Sequence, residues 1–309
     1  MLPTNLIALL LAAASAVDAG ALIPRQAKPL ALRVTSFNIR FDAEVSRREK
    51  QEKAWSDRKP VLVKTMADIA AKPATAGAPA IFGLQEVLSN QLSDIKKGMG
   101  AGWDHIGVAR EDGKSKGEFS PIIYNTKDLK VVTSATKWLT ETPDKPSKAA
   151  GAGSSRIVTL AVFEHVATKK RFLHANTHLD NVSPEARIAG IKVAVAQIQD
   201  MLKAQGGKLP ASLTGDFNSV AGGDAAKALA DMNFVKDVHD VATKAQRSGE
   251  ELTYTAFEQG AGRGRIDFVW IGPNADAPYT VQKYEVRANF VDNLFMSDHR
   301  AVVADITMK

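Results

Sequence analysis

Short apolar runs with strand-like spacing alternate along the chain with a few amphipathic helices. Strands are predicted over residues 32–39, 80–84, 121–124, 129–133, 156–163, 171–177, 210–213, 265–271, 281–286 and 300–306. Helical spacing of apolar residues predicts helices over 57–70, 90–99 and 183–203. The strands fall into two groups with helices between them. This order favours an α/β chain with two packed sheets flanked by helices over a parallel doubly wound sheet.

The N-terminal residues predict a leader rather than part of the folded domain. The apolar run over 6–17 is too short to span a bilayer, and small residues of the kind found at signal cleavage sites follow it. We therefore predict a signal peptide over 1–19, a pro-segment or flexible arm over 20–29 and one domain over 30–309. We expect a secreted, extracellular monomer. No later stretch reaches eighteen apolar residues, so no stable membrane insertion is expected.

Composition removes several kinds of chemistry. The 309 residues contain no cysteine, which excludes disulfides, thiolate metal sites and cysteine nucleophiles. Only six histidines are available for acid–base work or metal binding. The formal net charge of +6 favours an anionic partner.

Polar side chains stand at the ends of six predicted strands. They occur in the motifs Phe37-Asn38-Ile39-Arg40, Leu84-Gln85-Glu86-Val87, Asn176-Thr177-His178-Leu179-Asp180, Gly215-Asp216-Phe217-Asn218, Arg265-Ile266-Asp267 and Ser297-Asp298-His299. Each motif alone is also compatible with a polar surface turn. Six independent turns explain the set poorly, and a single site explains it better.

Two of these motifs indicate a particular chemistry from their residues alone. Asp216 and Asn218 share a face if the strand continues, and a carboxylate beside an amide suits holding a water or a metal against a phosphate. Asp267 interrupts a strand of large apolar residues, where a buried carboxylate needs a hydrogen-bond donor. His299 is the best candidate for that donor, in a relay that orients an imidazole. We expect His178 to be functional and His174 to be a core or surface residue.

The six motifs, in this order, resemble those of the endonuclease/exonuclease/phosphatase superfamily over roughly residues 30–309. The chain is most similar to the small secreted or bacterial deadenylase-like members. The resemblance implies a four-layer α/β/β/α sandwich of two packed mixed sheets flanked by helices, with 30–309 as the catalytic domain. It also implies a metal-dependent phosphoric ester hydrolase in which water attacks in line. Residues 149–155 depart from the tryptophan–aspartate pair that such relatives often carry there.

The resemblance also implies roles for individual residues. The predicted metal ligands for Mg²⁺ or Mn²⁺ are Asn38, Glu86 and Asp298, since these cations prefer oxygen ligands. The predicted catalytic residues are His178, Asp216, Asn218, Asp267, His299 and Glu118, with Glu118 orienting His178. The predicted substrate contacts are Arg40, Asn176 and Tyr124.

Several substrate classes stay open. A phosphodiesterase or nuclease is the first hypothesis, with nucleic acid among the candidate partners, and its candidate cations are Lys114, Lys116, Arg263 and Arg265. A phosphomonoesterase of the inositol-phosphate type, or a sphingomyelinase-like phospholipid diesterase, is the alternative. A catalytically silent binding module ranks last, because Glu86, Asp216, His178 and His299 are all present.

Overall fold

The computed structural model describes residues 29–260 and 262–309. The predicted signal peptide over 1–19 lies outside the described residues, as does all of the predicted arm over 20–29 except its last residue. The leader and the domain boundaries therefore stay predictions.

The described residues form strands and helices in alternation. The strands are β1 (Leu30–Asn38), β2 (Ala80–Gln85), β3 (Trp103–Ile106), β4 (Ile122–Asn125), β5 (Leu129–Trp138), β6 (Ile157–His165), β7 (Arg171–His178), β8 (Ala211–Asp216), β9 (Lys236–Asp237), β10 (Arg247–Gly249), β11 (Asp267–Gly272), β12 (Tyr279–Val286), β13 (Phe290–Val291), β14 (Leu294–Phe295) and β15 (Val302–Met308). The helices are α1 (Trp55–Ala71), α2 (Ser89–Met99), α3 (Pro184–Ala204), α4 (Asp224–Asp231) and α5 (Val238–Val241).

Two mixed sheets form the centre of the molecule. The first has the strand order β10-β12-β15-β1-β2-β4-β3, and the second has the order β5-β6-β7-β8-β11-β9. Their facing surfaces share a buried apolar core that includes Val34 and Ile81 from the first sheet and Phe163 and Phe172 from the second. Two sheets that each bury one face in this way form a sandwich.

Helices cover the two outer faces of the sandwich. Met66 of α1 and Ile95 of α2 belong to the buried cluster that contains Phe82 of β2. Ile191 of α3 packs in the cluster that contains Leu213 of β8. The predicted four-layer α/β/β/α architecture is thereby confirmed. None of the helices in the described part of the chain combines the length and the apolar character needed to cross a membrane.

The strand directions bring the polar motifs to one edge of the sandwich. β1 runs parallel to β2 and β7 runs parallel to β8, so these four strands end in adjacent pairs. β11 is antiparallel to β8, which pairs Asp267 at its start with Asp216 at the end of β8. β15 is antiparallel to β1, so the segment before β15, with Asp298 and His299, lies beside the end of β1.

Some elements differ from the sequence-based prediction. The strand predicted over 129–133 extends to Trp138 in the structure. The prediction ended it too early because a bulge between Val131 and Thr133 shifts the register and interrupts the alternation of apolar and polar residues. The sequence analysis did not identify β3 or α4. Both are short: β3 has four residues, and α4 has eight, four of which are alanine.

Candidate active site

A polar cavity of about 370 Å³ lies where these strand ends meet. It is lined by Arg40, Phe41, Arg47, Glu86, Arg110, Glu118, Ser154, Arg156, His178, Asn181, Asp216, Asn218, Tyr254, Ile266, Asp298 and His299. We call it the phosphate pocket. A larger cavity of about 440 Å³ lies at the Gly272 end of β11, but its carboxylates Asp237 and Asp240 are already paired with Arg265 and His239.

Asn38 joins two carboxylates at the base of the phosphate pocket. Its amide nitrogen donates to Glu86 Oε1 at 3.0 Å and to Asp216 Oδ2 at 2.9 Å. Its amide oxygen accepts from the Arg40 backbone N–H at 2.9 Å, which fixes the amide orientation. Asn38 therefore positions Glu86 and Asp216 here, and an oxygen contact to a cation would require its amide to turn over.

The acidic groups of the pocket lie close to one another, with Asp216 and Asp298 buried and Glu86 half-buried. Burial and the neighbouring Asp267 raise the pKa of Asp216 to about 7, against the opposing charge of His299. Burial, together with the charge of Glu86, raises the pKa of Asp298. Burial also acts to raise the pKa of Glu86, but Arg40 and Asn38 more than offset it and hold this pKa below its usual value.

This donor set fits a divalent cation. One ligand atom each from Glu86, His178 and Asp216 lie within 4.8 Å of one another. Buried carboxylates that raise each other's pKa are stabilised by a nearby positive charge. This set shares only Glu86 with the predicted ligands, and a second set with the same spacing consists of Asp216, Asp267 and His299. Asp298 lines the same cavity.

His299 and Asp267 form a buried pair. His299 Nδ1 lies 2.9 Å from Asp267 Oδ2, and the two residues are 4% and 0% exposed. The ring of Tyr254 lies against the imidazole, with 4.9 Å between centroids. Burial opposes a charge on His299, but Asp267 and Asp216 outweigh it and raise its pKa well above the ordinary value. The structure therefore presents an imidazolium whose Nε2 faces Asp216 at 3.7 Å.

His178 also lines the phosphate pocket, and its imidazole is neutral. Burial and the charges of Arg156 and Arg110 lower its pKa well below the ordinary value. Asn218 Nδ2 lies 3.0 Å from His178 Nε2 and also donates to the Leu179 carbonyl, so Nε2 is the acceptor and Nδ1 carries the proton.

Glu118 is the carboxylate nearest to that Nδ1. The separation from Glu118 Oε2 is 3.8 Å, which is a charge contact rather than a hydrogen bond. Two short bonds from Arg110, of 2.7 and 2.9 Å, hold the carboxylate in place. Glu118 is therefore positioned mainly by Arg110, and its predicted orientation of His178 acts at most across this longer distance.

The backbone is strained at three pocket residues. Arg40, Glu86 and Asn218 adopt positive φ angles of 57°, 61° and 48°. Asparagine tolerates this conformation, whereas it costs the other two residue types roughly 1 kcal/mol or more. The hydrogen bonds of Asn38 with Arg40 and Glu86 account for how these conformations are held.

Two predicted substrate contacts need correction. Asn176 is fully buried between the sheets, where its amide bonds to Gln85, Thr214 and two backbone carbonyls. Tyr124 pairs with Ile81, toward the opposite end of β2 from Glu86, and packs against Phe163 in the inter-sheet core. Alternation along a strand correctly assigned Asn176 to the face of His178, but it does not give depth below the surface.

The candidate nucleic-acid cations divide into two pairs. Arg263 is bonded to Glu258 at 2.7 Å, and Arg265 is bonded to Asp237 at 2.6 Å. Both arginines are thus engaged in ion pairs. Lys114 and Lys116 are exposed, on the loop between Arg110 and Glu118.

Two buried arginines were missed by the sequence analysis. Arg156 Nη2 donates to Asn181 at 2.9 Å, while its Nε and Nη1 are buried without a hydrogen-bond partner beside the pocket. Arg58 is fully buried and donates to five backbone carbonyls, those of Ile39, Arg40, Phe41, Lys53 and Met296. It thereby ties the loop after β1 to the segment before His299. For Arg156, its place directly before an apolar strand was the available signal.

The same fold is found in solved bacterial structures. The chain is 28% identical to an endonuclease/exonuclease/phosphatase family protein from Bacteroides thetaiotaomicron, over 91% of this chain and 96% of that chain, with a TM-score of 0.79. It is 32% identical to the endonuclease/exonuclease/phosphatase from Bacteroides vulgatus, over 90% and 99%, with a TM-score of 0.78. It is 29% identical to a mannosyl-6-phosphatase from Bacteroides thetaiotaomicron, over 89% and 99%, with a TM-score of 0.75. No protein-family model and no curated protein sequence matches the chain.

The molecule is thus an α/β/β/α sandwich with carboxylates and imidazoles at the ends of its strands. At this identity and coverage the relationship extends beyond the fold. The chain belongs to the endonuclease/exonuclease/phosphatase family.

Proposed function

We propose that the protein is a divalent-metal-dependent hydrolase of phosphate monoesters of small molecules. The observation that carries this proposal is the phosphate pocket itself. Its volume of about 370 Å³ suits a small ligand, and both carboxylates and guanidinium groups line it. The family relationship supports hydrolysis of phosphate esters, and the mannosyl-6-phosphatase among the similar structures favours a monoester substrate.

Four arginines add positive charge around the phosphate pocket, and two of them are also ion-paired, Arg40 with Glu52 and Arg110 with Glu118. Arg40, Arg47, Arg110 and Arg156 all line the pocket. Arg156 has two buried nitrogens without a hydrogen-bond partner, one of them 3.7 Å from Asp180, and its planar guanidinium matches a phosphate in geometry. A phosphate monoester carries up to two negative charges and so gains more from this cluster than a diester does.

The metal would be held by Glu86 and Asp298, which both line the pocket, and Asp216 would remain free to accept a proton. Mg²⁺ or Mn²⁺ at this position supplies a positive charge for the phosphoryl oxygens as they become more negative in the transition state. Carboxylate oxygens suit either ion.

The protein side chains have separate tasks in the attack of water on phosphorus. Asp216 lies between the two imidazoles, 3.5 Å from His178 Nε2 and 3.7 Å from His299 Nε2. It is placed to orient the attacking water and to accept its proton. The water oxygen forms the new bond to phosphorus while the bond to the leaving oxygen breaks; the leaving oxygen takes up a proton from solvent water, and Asp216 later releases its proton to solvent. His299, held by Asp267, donates to a phosphoryl oxygen as charge develops there.

Hydrolysis of phosphodiesters, the first hypothesis from the motifs, is the second candidate function. The observation that favours it is the exposed pair Lys114 and Lys116 on the loop that carries Arg110 and Glu118. Extracellular action after removal of residues 1–19 also stays part of this proposal.

A substrate panel tests the proposal. Purified protein is assayed with Mg²⁺ and with EDTA against ethyl phosphate, a hexose 6-phosphate, bis(p-nitrophenyl) phosphate and single-stranded DNA. We expect hydrolysis of the monoesters that depends on the metal and exceeds the hydrolysis of both diesters. Faster cleavage of DNA than of either monoester would overturn the proposed substrate class, and no turnover of any substrate would favour a binding module.

A further inference from the structure

A second cavity opens beside the phosphate pocket and shares Tyr254 with it. Its volume is about 260 Å³. Its walls come from two loops, one with Glu49, Lys50 and Gln51 and the other with Glu258 and Arg263. We call it the Tyr254 cavity. Because Tyr254 lines both cavities and its ring lies 4.9 Å from that of His299, the Tyr254 cavity is adjacent to the His299 side of the phosphate pocket.

The charges of the Tyr254 cavity differ from those of the phosphate pocket. Glu49 and Glu258 balance Lys50 and Arg263, and Gln51 adds a neutral amide. Such a wall offers both donors and acceptors to hydroxyl groups. A further phosphate, as in a polynucleotide, would approach two carboxylates without an excess of cations and would be disfavoured.

The first wall is connected to the phosphate pocket through hydrogen bonds. Glu52 accepts from the Glu49 backbone N–H at 3.0 Å and from Arg40 at 3.0 and 3.1 Å. Glu52 is itself 7% exposed. The loop that contains Glu49 is therefore held in a fixed position relative to Arg40 of the phosphate pocket.

The second wall rests on a strained turn. Ala256 and Phe257 both have positive φ angles, 53° and 57°, and the Glu258 N–H closes the turn on the Thr255 carbonyl at 3.1 Å. Glycine and asparagine normally occupy such positions, because other residues cost roughly 1 kcal/mol or more there. Burial of Phe257 against Phe295 holds the conformation and fixes where Glu258 begins.

We propose that the Tyr254 cavity binds the leaving group of the ester, and that this group is an uncharged polyhydroxylated ring such as a hexose. The inference rests on the proposed phosphomonoesterase function. The ring of Tyr254 provides an apolar surface for one face of a sugar. Glu49, Gln51 and the Glu258 oxygen that is not bonded to Arg263 provide hydrogen bonds at its edge.

The test compares a hexose 6-phosphate with ethyl phosphate, since both release an alkyl alcohol but only one carries hydroxyl groups to bind. We expect kcat/KM for the hexose ester to exceed that for ethyl phosphate by about tenfold or more. Glu258→Gln and Glu49→Gln should each lower this ratio several-fold, mainly through KM. Glu251→Gln is the matched control, an exposed glutamate that lines neither cavity, and should leave the ratio unchanged.

Each possible result either supports or contradicts binding of a sugar in the Tyr254 cavity. The sugar subsite would be overturned by a wild-type ratio near one, or by a ratio that neither Glu258→Gln nor Glu49→Gln changes. In either case, hydrolysis of ethyl phosphate would still support the proposed function. Hydrolysis of diesters without hydrolysis of either monoester would overturn the proposed function and this inference with it. Thermal melting of each variant shows that it is folded.

Discussion

Substitution of Asp267 and His299 tests whether the two residues act as one unit. The bond between them is 2.9 Å long, and both side chains are buried. Loss of one electrostatic contact to the transition state typically costs ~10²–10³ in kcat. If Asp267 acts only through His299, then Asp267→Asn, His299→Ala and the double variant should all fall within this range. Independent effects would instead multiply to ~10⁴–10⁶.

The pH profile of Asp267→Asn gives a second measure of the same contact. Asp267 is the main group that raises the pKa of His299, so its replacement by an amide lowers that pKa. Because His299 acts as the protonated form, activity falls as pH rises through this pKa. The alkaline limb of the kcat profile should therefore move to lower pH in Asp267→Asn.

A matched substitution separates the relay from general damage to the fold. Asp237→Asn removes the carboxylate of another buried pair, with Arg265 at 2.6 Å, outside the phosphate pocket. It should lower the free energy of unfolding in urea while kcat stays near the wild-type value. The relay is refuted if the effects of Asp267→Asn and His299→Ala multiply and the pH profile of Asp267→Asn matches the wild type.

Two further predictions concern buried side chains away from this pair. Burial lowers the pKa of His174 to about 3 from an ordinary value near 6.5, so the unfolded chain binds its proton first as the pH falls. As the pH falls from 7.5 to 5, His174 should therefore lower the free energy of unfolding by about 2 kcal/mol. His174→Asn should flatten the dependence of this free energy on pH, as measured by urea denaturation. Parallel pH curves for the variant and the wild type would contradict the lowered pKa of His174. Arg156→Met removes the unpartnered donors beside the pocket and should lower kcat/KM for a phosphate monoester by ~10²-fold. Unchanged steady-state kinetics would show that Arg156 does not contact the phosphate.

Much of the candidate site was predictable because its residues stand at strand ends. Asp216, Asp267 and His299 each follow, interrupt or precede an apolar run, and a polar residue at such a position is visible without a structure. The pairing of Asp267 with His299 followed from the need of a buried carboxylate for a donor. The sandwich itself followed from the grouping of strands and helices and from the order of the motifs.

Depth and backbone conformation could not be predicted in this way. Period-two alternation placed Asn176 and His178 on one face, but only the packing of two sheets buries the first and exposes the second to the pocket. The positive φ angles of Arg40 and Glu86 have no sequence signal, since neither residue type favours them. Arg58 lies on a helix and would ordinarily be solvated there, yet five backbone carbonyls draw it inside.

The central claim is that the buried carboxylates hold a divalent cation for phosphate ester hydrolysis. The most direct measurement is the rate of hydrolysis of a phosphate monoester as Mg²⁺ is titrated into EDTA-treated protein, for the wild type and for Glu86→Gln. Wild-type activity should appear with Mg²⁺ and saturate. Glu86→Gln keeps the shape of the side chain but removes its charge, so activity should fall by ~10²-fold or more and require higher Mg²⁺. Full activity of the wild type in EDTA, or equal Mg²⁺ dependence in Glu86→Gln, would contradict the claim.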